Sequence, residues 1–234
     1  MKKEILNKKP VLLAVMAHPD DAELKCYGTL CKYSEMGFDC VLLIICSGEN
    51  GISLNDKKNL NVKSIPKNVR LEETITAFKN TSVHIDTLNF DDGNIFFGRK
   101  LIEVIEQKMR EYKPEIVIAQ YGDSLGVDHQ DHGNAGRATV NCATRLDFVK
   151  KILLCEPLMT LRSEFTPNYF IDITKYFPKK IKALASHKSQ EGRYYLEEEY
   201  HNTKADFYAT SVSYNKAREG NKYEAFKVIY QLDD

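Results

Sequence analysis

Residues 11–17, Val-Leu-Leu-Ala-Val-Met-Ala, run without a break into His18-Pro19-Asp20-Asp21. Seven consecutive apolar residues suit a strand buried on both faces, because a strand with one wet face would alternate. The polar turn that follows opens a helical pattern over 21–36. Leu24, Tyr27, Leu30 and Cys31 form its apolar stripe, and Gly37 is a natural stop. A second buried run, Cys40-Val41-Leu42-Leu43-Ile44-Ile45-Cys46, comes next. Strand, helix and strand within about 35 residues make a βαβ unit, whose crossover is expected to be right-handed.

The alternation continues outward from this unit. Residues 48–66 are polar and read as a surface loop, followed by a helix over about 67–80 and a short strand at 85–89. A strongly amphipathic helix spans 99–112, with Leu101, Ile102, Val104, Ile105 and Met109 inward and Pro114 behind it. A strand at 116–119 and a helix at 132–146 follow. Strands at 152–155 and 169–173, helices at 179–186 and 205–217, and an apolar tail at 225–230 complete the chain. No repeat or linker interrupts it. The pattern predicts one domain over 1–234, a Rossmann-like three-layer α/β/α sandwich with a mainly parallel sheet.

With 234 residues, 43% of them hydrophobic, the chain can bury a large core. Lys+Arg and Asp+Glu are both 33. That balance argues against nucleic-acid binding, which needs surplus positive charge to displace counterions. The run at 11–17 is too short to span a membrane and carries no signal-cleavage pattern, so a cytoplasmic protein without a membrane partner is expected. The six cysteines form no Cys-x-x-Cys pair and lie in apolar surroundings, as buried free thiols do.

Ligands of parallel sheets bind beyond the carboxyl ends of the strands. Three polar segments fall there: His18 to Glu23, Ser47 to Gly51, and Gly122 to His132. The first and third hold His18, His129 and His132 with Asp20, Asp21, Glu23, Asp128 and Asp131. Histidine with carboxylate suits zinc, and a hydrolytic zinc keeps one position open. Taken singly, these residues have ordinary explanations: Asp20-Asp21 as a helix cap, His129 and His132 as surface histidines. Their joint placement after two buried strands points to a metal site. A magnesium site for phosphoryl transfer fits the histidines less well. No Gly-x-Gly-x-x-Gly follows the first strand, which speaks against dinucleotide binding.

These residues resemble the LmbE-like or PIG-L family of zinc-dependent N-deacetylases. The likeness is carried by Ala-His-Pro-Asp-Asp-Ala-Glu-Leu at 17–24, Gly28-Thr29-Leu30 and His129-Gln130-Asp131-His132. Weaker echoes are Ser47-Gly48-Glu49, Arg70 with Glu73, Asp92-Gly93, His187 to Gln190, and Arg218 with Tyr223-Glu224-Ala225-Phe226. The resemblance implies one zinc per chain, held by His18, Asp21 and His132. It implies Asp20 as general base, and His129 as oxyanion stabiliser or general acid, held and tuned by Asp131. It sets Arg70, Asp92 and His187 near a small sugar-containing substrate, from which an N-acetyl group of a glucosamine-type sugar, glycoconjugate or sugar nucleotide is removed. It also implies a homo-oligomer. Alternative expectations are a zinc amidohydrolase acting on a non-sugar or thiol-conjugate amide, and a non-catalytic sugar-binding module. Two departures from the family pattern stand out. Lys25-Cys26-Tyr27 replaces a small, glycine-rich stretch, so Tyr27 is expected to reshape one wall of the site. Val127 stands where some members have Tyr.

Overall fold

Strand β1 (Val11–Met16) is buried along its whole length. It pairs in parallel with β2 (Asp39–Cys46) on one side and β4 (Ile116–Gln120) on the other. Such a strand must be apolar at every position, because successive side chains enter opposite faces of the sheet. Val11, Leu13 and Val15 pack into one core, and Leu12, Ala14 and Met16 into the other. The computed structural model describes residues 9–52, 63–123 and 126–233, so part of the expected loop at 48–66 lies outside the described residues.

The seven strands lie in the order β3-β2-β1-β4-β5-β7-β6. β3 (Val83–Phe90) and β5 (Lys151–Cys155) extend the parallel part. β7 (Tyr223–Gln231) runs antiparallel between β5 and β6 (Tyr169–Asp172). One core receives Leu101, Ile105 and Met109 of α4 (Arg99–Tyr112) and Ala135, Ala138 and Cys142 of α5 (Gln130–Ala143). The other receives residues of α1 (Asp21–Lys25), α2 (Tyr27–Glu35), α3 (Lys67–Phe78), α6 (Phe177–Leu184) and α7 (Glu198–Val212). This is the expected three-layer α/β/α arrangement around a mainly parallel sheet.

Three details differ from the sequence pattern. The helix expected over 21–36 is two helices, broken where Cys26 leaves the helical region at φ −147°; nothing in the apolar spacing marks that break. The helix expected at 205–217 begins seven residues earlier and is split at the extended Ser213 into α7 and α8 (Tyr214–Arg218). The apolar tail is β7, and it carries a buried carboxylate. Glu224 accepts hydrogen bonds from the Gly28 and Thr29 amides, the Thr29 hydroxyl and the Lys180 ammonium. The last strand thus satisfies free N–H groups of α2, close to the first motif.

All six cysteines are buried and free. No helix among the described residues is long and apolar enough to cross a membrane.

Candidate active site

The strand order reverses direction at β1, between β2 and β4. Loops leaving β1 and β4 therefore diverge, and a crevice opens beyond their carboxyl ends. Ala17 fixes the floor: its N–H donates to Gln120 Oε1 at 3.0 Å, and its carbonyl accepts from the Cys46 N–H at 3.0 Å. At Gly136 of α5 a Cβ would lie 2.1 Å from the Gln120 carbonyl, so the helix presses on β4 there and brings His132 over the crevice.

His18, Asp21 and His132 converge. His18 Nδ1 lies 3.1 Å from His132 Nε2 and 3.6 Å from Asp21 Oδ2, and His132 Nε2 lies 3.2 Å from Asp21 Oδ1. A tetrahedral zinc with its usual bond lengths separates neighbouring ligands by about 3.3 Å. The donor spacing and the donor chemistry both fit that ion.

Each ring's other nitrogen meets carboxylate. His18 Nε2 is 3.1 Å from Asp92 Oδ1 and 3.3 Å from Asp131 Oδ2. His132 Nδ1 is 2.8 Å from Asp128 Oδ1. These partners orient the rings and select which nitrogen is free for a metal. They also dominate the electrostatics. Burial opposes charge on His18, but hydrogen bonds to Asp131, Asp21 and Asp92 raise its pKa well above the ordinary value. Burial pushes Asp21 upward, yet His132, Lys25 and His18 bring it well below the usual carboxylate range. Asp92 falls to about 2 in the same way, against burial, through His18, the Asn50 amide and Arg70.

Asp20 takes a left-handed backbone conformation, φ 97°, which a non-glycine residue holds only where its surroundings impose it. Arg70 imposes it here. One guanidinium nitrogen donates to Asp20 Oδ2 at 2.8 Å and to the Pro19 carbonyl at 2.6 Å; the other donates to the Gly48 carbonyl at 3.0 Å. Gly48 has φ +67°, and a Cβ on it would lie 2.4 Å from Arg70. The Ser47 to Gly51 segment thus cradles an arginine that grips Asp20.

His129 caps α5, and its Nδ1 accepts the Asp131 backbone N–H at 3.2 Å. Its hydrogen, in the neutral ring, therefore sits on Nε2. Burial first, then the charges of His18 and His132, hold its pKa below the ordinary value. The Asp131 carboxylate turns away from His129. It accepts from the Gly93 N–H at 2.8 Å and the Ile95 N–H at 3.3 Å and faces His18. Asp131 is expected to hold and tune His129: its main-chain N–H bonds the ring, and its carboxylate, though turned toward His18, still acts on His129 through its charge.

A cavity of about 480 Å³ is lined by His18, Asp20, Asp21, His129 and His132, with Arg70 and Asp92 in the same wall. His187 stands apart from that lining. It is buried against Glu23, with Nε2 2.9 Å from Oε1. Tyr27 also lies away from the cavity, contrary to expectation: it packs on Phe78 and donates to the Ala77 carbonyl. Val127 does line it, as do Arg193, Tyr194 and Tyr195. Sequence reasoning gave no role to Asp128 or Lys25. Asp128 stands four residues before His132, which is the one signal that pointed to it.

Histidines and carboxylates gathered in this way beyond a parallel sheet are the construction of a hydrolytic α/β enzyme. More specifically, residues 13–143 match the PIG-L family, described as GlcNAc-PI de-N-acetylase. The chain belongs to that family and is an N-deacetylase-type hydrolase. It is 26% identical over 233 residues to the diacetylchitobiose deacetylase of Thermococcus kodakarensis, covering 94% of this chain and 85% of that one. Its fold is similar to N,N'-diacetylchitobiose deacetylase from Pyrococcus horikoshii, with TM-score 0.77, 21% identity, and 94% and 84% of the two chains covered. It is equally similar to the 4-carboxy-2-hydroxymuconate hydratase of Pseudomonas putida, with TM-score 0.80, 19% identity, and 96% and 98% covered. A fold shared with a hydratase does not by itself select the reaction; the residues in the cavity must.

Proposed function

We propose that this chain, acting as one deacetylase domain over 1–234, is a zinc-dependent hydrolase that removes an N-acetyl group from a glucosamine-type sugar, free, in a glycoconjugate or on a nucleotide. The observation that carries the reading is the convergence of His18, Asp21 and His132 at ligand spacing, with Asp20 in the same cavity. The sugar is supported by the relatives named for diacetylchitobiose. One zinc per chain held by those three residues supplies Lewis-acid activation of water and of the amide carbonyl.

The remaining chemistry falls to side chains. Hydrolysis adds water across the amide, breaks the C–N bond, and yields acetate and an amine. Asp20, steadied through Oδ2 by Arg70, takes the proton from the attacking water and returns it to the departing nitrogen. His129 is suited to the oxyanion. Its Nδ1 is occupied as an acceptor, so its single N–H lies on Nε2. A neutral ring of that tautomer donates a hydrogen bond well but cannot readily give the proton away. This favours stabilisation over acid catalysis for His129 and leaves both proton transfers to Asp20. Arg70 and Asp92 contribute by holding Asp20 and His18, close to where substrate enters.

The test combines metal analysis by mass spectrometry with acetate release from a panel of N-acetyl sugars. His18→Ala is expected to lose zinc. Asp20→Ala is expected to keep zinc and lose turnover. Full activity in Asp20→Ala overturns its assignment as base. Tight sugar binding without acetate release from zinc-loaded protein overturns the hydrolase reading in favour of a binding module.

A further inference from the structure

Lys25 ends α1, four residues after Asp21, and its side chain is only 4% exposed. Its ammonium lies 3.3 Å from Asp21 Oδ1 and 3.5 Å from His132 Nδ1. It therefore touches two of the three residues that converge on the metal position. Asp128 meets the same His132 Nδ1 at 2.8 Å. The ion pair with Asp21 places a buried cation directly beside the converging donors.

Behind Lys25 lies a second, small cavity that it lines together with Lys180, Lys204, His201, Glu156 and Glu224. Lys180 is paired with Glu224 at 2.8 Å, and Lys204 with Glu156 at 2.7 Å. Each of those lysines thus has its own carboxylate on the cavity side. Lys25 shares none of them: the carboxylate it pairs with is Asp21.

We propose that Lys25 is a positioning and charge-tuning residue of the metal site, whose ammonium weakens binding of the divalent ion and keeps that ion exchangeable. The inference rests on the metal-site reading above. An ion held by Asp21 Oδ1 and His132 Nε2 would lie one bond beyond the Asp21 oxygen that the ammonium contacts, and across the imidazole ring from the His132 Nδ1 that it contacts. Two effects then act in one direction. The ammonium repels the ion directly, and it draws on the same Asp21 carboxylate that the ion needs. In the partly desolvated wall of a cavity such repulsion is screened less than at a surface. Asp128 offsets part of it by placing a negative charge behind His132. The ammonium also holds Asp21 in place, but the loss of one positioning contact is a smaller effect than removal of a like charge so close to a divalent ion.

The experiment measures zinc affinity of the full chain by competition with a chromophoric chelator, with metal content read by mass spectrometry. Lys25→Met keeps the length of the side chain and removes its charge. It is expected to bind zinc at least tenfold more tightly and to lose zinc to the chelator at least tenfold more slowly. Lys25→Arg keeps the charge and is expected to stay within threefold of the parent. Lys25→Gln serves as a second neutral variant if Lys25→Met fails to fold. Equal or weaker zinc binding in folded Lys25→Met or Lys25→Gln overturns the proposal, because a merely structural lysine gives that result. Failure of the metal-site reading is distinguishable: the parent chain and His18→Ala would then bind zinc equally poorly.

Discussion

The Arg70 guanidinium meets the Asp20 carboxylate at 2.8 Å, and that contact holds Asp20 at φ 97° on the edge of the cavity. Both side chains are nearly excluded from solvent. Removing one member of such a pair leaves the other charge buried and uncompensated, at a cost of about 3 kcal/mol or more. Arg70→Gln is therefore expected to lower unfolding free energy by about that amount and kcat/KM by about a hundredfold or more. Zinc content is expected to be unchanged, since Arg70 contacts none of the converging donors. Gly48→Ala acts on the same contact by driving a methyl group into Arg70, and is expected to follow in the same direction. Urea unfolding and acetate release check both, and loss of zinc in Arg70→Gln would contradict the role.

The partners behind the histidines give a second prediction. Asp128 faces His132 Nδ1, and Asp131 faces His18 Nε2. Asp128→Asn and Asp131→Asn each preserve shape while removing charge. Each is expected to weaken zinc binding by about 10–100-fold, as such outer partners do in other zinc proteins. Chelator competition measures it. The Asp131 variant is also expected to loosen the 93–95 turn, whose amides it holds.

The fold was legible because buried parallel strands leave a coarse signature. Runs such as 11–17 and 40–46 are apolar at every position, and each ends in polar residues that must face the crevice. The convergence of His18, Asp21 and His132 was legible for the same reason: His18 and Asp21 sit on one such end, and His132 on another. What escaped the reading depends on side-chain direction rather than position in the chain. Lys25 falls inside the single helix expected over 21–36 and outside its apolar stripe, yet the break at Cys26 makes it a helix end, where it is buried against Asp21. The Asp131 side chain lies two residues from His129, and only the geometry shows that it serves His18. Glu224 stands just before the apolar run at 225–230 and enters the sequence reading only as part of a weak family echo, which gives no hint of its four donors.

His129 separates two chemistries. If it serves the oxyanion through Nε2–H, His129→Gln retains a donor and His129→Ala does not. His129→Ala is expected to lose about 10²–10³ in kcat with zinc content unchanged. His129→Gln is expected to recover at least about tenfold of that loss. Steady-state kinetics on zinc-loaded protein decide it; equal damage in both variants points instead to acid catalysis.

His201 predicts how stability responds to acid. It is buried, with Nε2 2.8 Å from the Tyr195 carbonyl, and burial together with Lys180 and then Lys204 lowers its pKa to about 3. A histidine depressed in the folded state binds its proton more readily when unfolded. Its contribution is present above the unfolded value near 6.5 and is lost as pH falls from there toward 3. Between pH 7 and pH 5 this amounts to about 2 kcal/mol. His187 has the opposite sign. Burial opposes its charge, but Glu23 raises its pKa, so its contribution is present below 6.5 and lost as pH rises through the folded value. The comparison is therefore between the parent and His201→Gln. The variant is expected to be less stable at pH 7 and to show a flatter fall toward pH 5. Urea unfolding across that range measures it, and parallel curves would contradict the assignment.

His187 gives the last prediction, because sequence and structure assign it different work. The resemblance sets it near substrate, whereas its ring is buried against Glu23, and Glu73 beyond it is held by the Ser189 amide and hydroxyl. That arrangement ties the segment after α6 to α1 and α3, and α1 carries Asp21 at its start. His187→Ala leaves the Glu23 carboxylate buried without its partner, so a loss of about 3 kcal/mol or more is expected. Below the unfolding transition, zinc content and KM are expected to stay within about threefold of the parent, which is less than 1 kcal/mol. A substrate-contacting histidine gives the reverse pattern: KM rises by at least tenfold while the urea midpoint barely moves.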